Sequence, residues 1–301
     1  MAVITVRPVV LATVLAFLAT AAAAQDSPSK PGKPAQNGPD APAKALFGAK
    51  ARPVDMAARS IGFYTRGCIA GAVALPIDGP YWQAMRLSRN RNWGHPELIR
   101  MLERLAKQGP KLGWPGLLVG DLAQPRGGPM LSGHASHQVG LDADVWLTPM
   151  PARVLSRQER EEMSATNVVA ADWNDIDPAV WTPQHLAIIR AAALAPEVER
   201  VLVNPAIKKA LCREAQGNRA WLSKVRPYYG HNYHMHIRIH CPKGDPCKPQ
   251  PPPPNGDGCD KSLAWWFSDA ARKPPTTPKK PRPPLRLADL PAACRAVLTA
   301  P

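Results

Sequence analysis

The pattern of apolar and polar positions predicts a mixture of helices and short strands between about residues 53 and 270. From His95 to Gln108, apolar residues recur at helical spacing, which predicts an amphipathic helix with one buried face. Further helices are expected over 181–195 and 204–214, and strands over 117–120, 140–146 and 233–240. Because these elements follow no regular strand–helix–strand order, the predicted fold class is α+β, with a small antiparallel sheet flanked by helices.

The first 24 residues have the composition of a secretory signal peptide. Arg7 precedes an apolar run over 9–18, and the small residues 22–24 follow it. The apolar run is shorter than the roughly 20 residues that cross a bilayer, and a buried helix is the alternative interpretation. We therefore expect residues 1–24 to direct export to the periplasm, with no stable membrane anchor after cleavage.

Two segments rich in proline and lysine flank the predicted domain, which spans residues 53–270 and is long enough for its own core. Residues 25–52 contain few large apolar side chains, which predicts a disordered linker. The composition of residues 271–301 predicts an extended basic tail. The tail contains seven basic residues and one acidic residue, Asp289, so its net charge is +6 of the total of +15. This charge either attracts envelope polyanions or belongs to solvated linkers, and an exported chain is not expected to bind nucleic acid.

The six cysteines predict disulfide bonds. An even number of cysteines in an exported chain favours disulfides, because an oxidising compartment keeps them formed. A thiolate zinc site is the alternative, but such sites usually have paired CxxC-type spacing, which this sequence lacks. Cys241 and Cys247 are near enough in sequence to close a small loop, and spacing leaves the other pairings open.

Five of the eight histidines fall in two short segments, GHASHQVGLDADVW and GHNYHMHIR. They are His134 and His137 in the first segment, and His231, His234 and His236 in the second. A lone His-x-His pair is more often an ordinary surface or core feature. The two segments together contain more imidazole and carboxylate groups than that interpretation explains.

The alternation of side chains along a strand places His234 and His236 on one face, and Asp142 and Asp144 on one face. Imidazole and carboxylate are ordinary zinc ligands, and a catalytic zinc site has three protein ligands and a water. Zinc lowers the pKa of that water to roughly 7, and a histidine beside the metal can transfer protons. The predicted sheet is therefore expected to carry the metal site of a zinc hydrolase.

The first histidine segment resembles the metal motif of the superfamily that includes D-Ala-D-Ala peptidases and lysostaphin-type peptidases, although Ser136 directly precedes His137 here. Other segments narrow the resemblance to the penicillin-insensitive murein endopeptidases. They are GCIAGAVALPIDG, NWGHPEL, LVGDLAQPRGG, VNPAIKKALC, KVRPYYGHNYHMHIR and GDGCDKSLAWWF. The resemblance runs from about Gly62 to Cys294.

The resemblance implies Zn²⁺ bound by His137, Asp144 and His236, with His134 as a candidate further ligand. It also implies that His234 is the base acting on the zinc-bound water and that His231 contacts the substrate or its oxyanion. Three disulfides are implied, namely Cys68–Cys294, Cys212–Cys259 and Cys241–Cys247. The first of these would tie the basic tail back to the domain.

A second, weaker metal site in the family uses an Asp-x-x-His segment. The corresponding residues here are Asp172 and Asp175, with Asp where His is expected, which puts a second site in doubt. Asp142 is expected to support a ligand or to be solvated. Of the remaining histidines, His95 is expected to cap or pack a helix, and His185 is expected to be exposed.

The function implied by the resemblance is zinc-dependent hydrolysis of the D-alanyl–meso-diaminopimelyl cross-links of peptidoglycan. A zinc D,D-carboxypeptidase that trims terminal D-Ala is the nearest alternative. A cell-wall-binding protein without turnover, which uses its basic tail and histidines for adhesion, is the alternative from another class.

Overall fold

The computed structural model describes residues 38, 40–273 and 283–301, and its architecture is α+β, which confirms the predicted fold class. The helices are α1 (Ala43–Gly48), α2 (Pro96–Gln108), α3 (Arg157–Glu162), α4 (Pro183–Leu194), α5 (Pro205–Glu214), α6 (Lys261–Trp265), α7 (Asp269–Arg272) and α8 (Ala293–Thr299). The strands are β1 (Arg59–Phe63), β2 (Arg66–Ala70), β3 (Val73–Ala74), β4 (Asp78–Gly79), β5 (Trp82–Ala84), β6 (Trp93–Gly94), β7 (Leu117–Val119), β8 (Asp142–Pro149), β9 (Val198–Val203), β10 (Val225–Pro227) and β11 (His234–Ile239). The expected signal peptide lies outside the described residues, as does much of the expected linker.

The main sheet has seven strands in the order β10-β9-β11-β8-β7-β5-β4. Its centre is antiparallel, because β11 pairs with both β8 and β9, while β10 runs parallel to β9 and β5 runs parallel to β7. The sheet is thus larger than the small antiparallel sheet that was expected. Its parallel pairs involve strands as short as three residues, which give no readable alternation in the sequence.

The three predicted helices form close to the predicted bounds, and each has a proline in its first turn. In α2, the expected apolar face is buried through Leu98, Met101, Leu102 and Leu105. His95 caps this helix as expected, since its Nδ1 accepts a hydrogen bond from the backbone N of Glu97 at 3.2 Å.

The expectation that His185 is exposed is wrong. The ring is buried in α4, where Nδ1 accepts from the backbone N of Thr182 at 3.0 Å. Its Nε2 lies 3.1 Å from the carbonyl oxygen of Leu147 on β8. Both ring nitrogens are therefore used to join the helix start to the sheet, which explains why this polar side chain tolerates burial.

Residues 41–48, which fall inside the expected disordered linker, are ordered. Phe47 and Ala43 on α1 are completely buried in a small second core, together with Val297 and Leu298 of the C-terminal helix α8. The apolar side chains of this segment are therefore buried after all, because they pack against a helix that follows some 250 residues later in the chain.

All six cysteines form disulfides, which join Cys68 to Cys294, Cys212 to Cys259 and Cys241 to Cys247. These pairs are the ones that the resemblance implies. The first bond attaches α8 to β2. Carbonyl groups at the end of α8 also accept hydrogen bonds from the buried guanidinium of Arg126. Across residues 38, 40–273 and 283–301, no helix has the length and apolar character needed to cross a membrane.

Candidate active site

The two central strands of the main sheet place imidazoles opposite a carboxylate. In the antiparallel pairing of β8 with β11, Asp144 is opposite His236, and Trp146 is opposite His234. Residues two apart on a strand share a face, so both histidines project towards Asp144. Nδ1 of His236 lies 3.1 Å and Nε2 of His234 lies 3.6 Å from Oδ1 of Asp144.

The loop before β8 brings two more imidazoles to the same carboxylate. His137 has a left-handed backbone with φ of 66°, an uncommon conformation for a residue other than glycine. Its backbone N donates to Oδ2 of Asp142 at 2.9 Å, which fixes the turn. Nε2 of His137 then lies 3.4 Å from Oδ1 of Asp144, and Nδ1 of His134 lies 3.4 Å from Oδ2.

His134, His137 and Asp144 form a candidate metal-binding group, since one ligand atom of each lies within 4.8 Å of the others. His137 is completely buried, and within the described part of the chain neither of its ring nitrogens has a hydrogen-bond partner. Leaving a buried polar atom without a partner costs about 1–3 kcal/mol. A cation between the rings and the carboxylate would supply that partner, and a set of imidazoles with one carboxylate suits zinc. His236 lies outside this group of three, although its Nδ1 faces Asp144.

Asp142 and Arg238 support the site from the buried side of the sheet. Oδ1 of Asp142 lies 3.1 Å from Nε2 of His236 and accepts from Nε of Arg238 at 2.6 Å. The guanidinium of Arg238 lies 4.0 Å from the ring centre of Tyr64. Burial lowers the pKa of His236, but Asp142 and Asp144 outweigh burial and raise that pKa to about 9. Asp142 is thus buried rather than solvated, and it holds the ring of His236.

Asp121 holds His134 in the same way. Its Oδ2 lies 3.0 Å from Nε2 of His134 and accepts from Arg89 and Arg91 at 3.0 and 2.9 Å. Burial raises the pKa of Asp121, but the hydrogen bond from His134 and the two arginines lower it to about 2. Because Nε2 of His134 is engaged by a carboxylate, its Nδ1 is the atom that faces Asp144.

His231 lies at the edge of the histidine cluster. It has a left-handed backbone with φ of 52°, and its ring centre lies 4.8 Å from that of His234 and 5.9 Å from that of His236. Its Nδ1 lies 3.1 Å from the carbonyl oxygen of Tyr229. Burial, together with the two neighbouring histidines, lowers the pKa of His231 to about 4.

An open cleft leads to the cluster. Its lining includes Arg86, Arg89, Trp146, Tyr233 and His234, with Asp144 at the inner end. Arg86 is fixed by donating to the carbonyl oxygens of residues 160 and 163, whereas the side chain of Arg89 is 46% exposed. The cleft therefore combines two cations and two aromatic rings around an approach to the candidate metal-binding group.

The two aspartates of the doubtful second metal site contact other residues of the protein. Asp175 contacts Arg213 at 2.8 Å and Lys209 at 3.2 Å, and Asp172 accepts from the backbone and side chain of Asn174. Among the residues that the structure describes, neither aspartate belongs to a group of three or more possible metal ligands. The charge of Asp175 is thus balanced by two side chains of α5.

Comparison with known proteins gives the family. Residues 60–299 match the model of the penicillin-insensitive murein endopeptidase family. The chain belongs to this family. It is 44% identical over 250 residues to a protein of that name from Klebsiella pneumoniae subsp. pneumoniae, over 82% of this chain and 88% of the relative. A protein of the same name from Escherichia coli O1:K1 is 43% identical over 249 residues, with the same two coverages.

The structure brings His134, His137, Asp144, His234 and His236 together, and it places His231 beside them. Sequence reasoning assigned no role to Asp121, the residue that holds His134. A signal for it was present, because this aspartate directly follows the buried strand β7 and a glycine. The exposed His240 directly follows β11 and lies outside the cluster.

Proposed function

We propose that this chain is a zinc-dependent murein endopeptidase that hydrolyses D-alanyl–meso-diaminopimelyl cross-links of peptidoglycan in the periplasm. One observation carries the proposal. In a member of this family, the fully buried His137 faces Asp144 within a cluster of further imidazoles, and both of its ring nitrogens are without a hydrogen-bond partner among the described residues. A cation would stabilise a buried cluster of this kind, because burying a carboxylate and unpaired ring nitrogens without a partner costs free energy.

The residues that would hold zinc are His137, Asp144 and His236, with His134 as a fourth candidate. Bound zinc would act as a Lewis acid on the scissile carbonyl and would lower the pKa of a nearby water. Each imidazole has a nitrogen facing Asp144, and the second nitrogen of His236 and of His134 faces another carboxylate. These outer carboxylates fix the tautomer and orientation of the two rings.

His234 is proposed to accept and return the proton during hydrolysis. Its Nε2 faces Asp144, and among the described residues its Nδ1 has no hydrogen-bond partner, whereas the second nitrogen of His236 faces Asp142. His231 is proposed to contact the substrate. Its lowered pKa keeps the ring neutral, and its Nδ1 donates to the carbonyl oxygen of Tyr229, so that Nε2 is the nitrogen that can accept a hydrogen bond from the substrate. The cationic lining of the cleft, above all Arg89, fits the carboxylates of peptidoglycan stem peptides.

Digestion of purified peptidoglycan tests the proposal. The expected result is that cross-linked muropeptide dimers disappear while monomers accumulate. A chelator should stop this conversion, and added zinc should restore it. Loss of terminal D-Ala with dimers intact would instead indicate a D,D-carboxypeptidase, and binding to the wall with no change in muropeptides would indicate an adhesion protein.

A matched pair of variants makes the experiment specific to the cluster. His137→Ala should lose zinc as well as dimer cleavage, because it removes the most buried of the candidate ligands. His240→Ala removes an exposed histidine outside the cluster and should retain both properties. Equal zinc content and equal cleavage in the two variants would refute the assignment of the metal site.

A further inference from the structure

Several exposed aromatic side chains lie beside the histidine cluster. Among the described residues, the large aromatic side chains that are exposed are Trp173, Tyr228, Tyr229, Tyr233 and Trp265. Tyr228 contacts His231 edge to face at 5.4 Å, and Tyr233 contacts His234 at 4.7 Å. Of these side chains, Trp173 and Tyr229 line one pocket, whereas Trp265 does not. Exposed apolar side chains grouped around a pocket mark a binding surface more often than scattered ones do.

Aromatic side chains near His231 line an open pocket, which we call the aromatic pocket. Its rings belong to Trp173, Tyr229 and Trp266, and its polar groups belong to Asp172, Asn204 and Arg272. Its volume of about 360 Å³ lies in the range of roughly 300–1,000 Å³ that is typical of small-ligand sites. Few polar groups around apolar walls are also typical of such sites.

Contacts within the protein hold the walls of the aromatic pocket in place. The hydroxyl of Tyr229 donates to the carbonyl oxygen of Trp266 at 2.7 Å, and the two rings lie 5.0 Å apart at 68°. Arg272 donates to the carbonyl oxygen of Trp173 at 3.0 Å. Trp173 has a left-handed φ of 59°, a strained conformation that is found preferentially at functional sites.

Two residues of the aromatic pocket contact His231, at the edge of the candidate active site. Tyr229 lines the pocket, and its carbonyl oxygen lies 3.1 Å from Nδ1 of His231. Asn204 also lines the pocket, and its backbone N donates to the carbonyl oxygen of His231 at 3.1 Å. Two hydrogen bonds therefore join residues of the aromatic pocket to His231, so the pocket lies next to the edge of the histidine cluster.

We propose that the aromatic pocket binds an N-acetylated amino sugar of the glycan strand to which the cleaved peptide is attached. This inference rests on the proposed function. A pyranose ring offers an apolar C–H face to an aromatic ring, whose face carries the negative part of the quadrupole. Its hydroxyl and amide groups match the polar rim, where Asp172 can accept and Arg272 can donate hydrogen bonds. The stem peptide, composed of small and charged residues, has no such ring-shaped apolar face.

Two cross-linked dimers test this site, one that carries its disaccharides and one from which an amidase has removed them. We expect the wild-type protein to cleave the glycosylated dimer with a kcat/KM about 5- to 10-fold higher, the size of one aromatic stacking contact. Trp173→Gly should bring this ratio close to 1. Glycine adopts the left-handed φ without strain, so this variant is expected to fold.

Trp265→Ala is the matched control, because Trp265 is an exposed neighbour of Trp266 but does not line the aromatic pocket. This control should keep the wild-type ratio. A wild-type ratio of 1 with both dimers cleaved would overturn the sugar site and leave the proposed function intact. A ratio that stays high in Trp173→Gly would place the sugar elsewhere and also overturn the proposal.

A binding measurement without catalysis separates the two proposals further. Saturation-transfer NMR with the chitin trisaccharide, an oligomer of N-acetylglucosamine, should detect binding to wild-type protein and to Trp265→Ala, but not to Trp173→Gly. Absence of transfer to the wild-type protein would refute the sugar site even if dimers are cleaved. Transfer that depends on Trp173 would support the site even if neither dimer is cleaved.

Discussion

Nε2 of His236 lies 3.1 Å from Oδ1 of Asp142, while Nδ1 of the same ring lies 3.1 Å from Oδ1 of Asp144. The two nitrogens of one imidazole are thus divided between a buried structural carboxylate and the carboxylate of the candidate metal site. A ring held at Nε2 can present only Nδ1 to a cation. Asp142 is therefore the residue that decides how His236 is oriented.

Replacing Asp142 with Asn should weaken zinc binding about 10- to 100-fold, the usual effect of removing a carboxylate behind a ligating histidine. Competition with a chelator measures this affinity. Asp245→Asn is the control. Asp245 also lies beside a histidine, since its Oδ2 is 3.6 Å from Nε2 of His95, but this pair is outside the histidine cluster. Unchanged zinc affinity in Asp142→Asn would mean that His236 does not need this carboxylate, or does not bind the metal.

The two histidines of β11 are expected to differ in role. His236→Ala should lose zinc, whereas His234→Ala should retain near-stoichiometric zinc and lose about 10²–10⁴-fold in dimer cleavage, the usual contribution of a general acid–base group. Elemental analysis beside a cleavage assay measures both properties. If His234→Ala contained no zinc while His236→Ala contained zinc but did not cleave dimers, the two roles would have to be exchanged.

Stability should rise with pH because of Lys208. Its ammonium is buried in α5 and donates to the carbonyl oxygens of Leu222 and Asp257. Burial, with Arg226 nearby, lowers its pKa to about 7, while an unfolded lysine has a pKa of about 10.4. Between these values the unfolded chain binds the extra proton, so the free energy of unfolding increases with pH. Below pH 7 the cost of burying the charge is fully present.

Chemical denaturation of wild-type protein and Lys208→Met at several pH values from 6 to 10 checks this expectation. The difference in unfolding free energy between the two proteins should change across that window. Lys209→Met, in which the neighbouring, partly exposed lysine is replaced, should follow the wild-type pH dependence. A constant difference between wild type and Lys208→Met would show that Lys208 does not titrate in this range.

Phe47→Ala should destabilise the protein by about 3–5 kcal/mol, because it leaves a cavity between α1 and the C-terminal helix. The exposed Lys44 on the same helix provides the control, and Lys44→Ala should change stability by less than about 0.5 kcal/mol. Thermal or urea unfolding measures both. A small effect of Phe47→Ala would mean that α1 is dispensable, as its composition suggested.

The sequence by itself determined the features that depend on neighbours along the chain. The helix that starts after His95 follows from apolar spacing, a proline in the first turn and a capping side chain, all within 14 residues. The shared face of His234 and His236 follows from the two-residue repeat of a strand. These features need no knowledge of what packs against them.

Only the tertiary structure decided the features that join distant segments. The order of α1 depends on apolar surface from α8, and the burial of His185 depends on a carbonyl group of β8. The contact of Asp121 with His134 likewise depends on how the loop before β8 folds over the end of β7. The composition of a segment indicates how much conformational entropy it loses on folding. The contacts that offset this loss come from residues far away in sequence, so no local pattern predicts them.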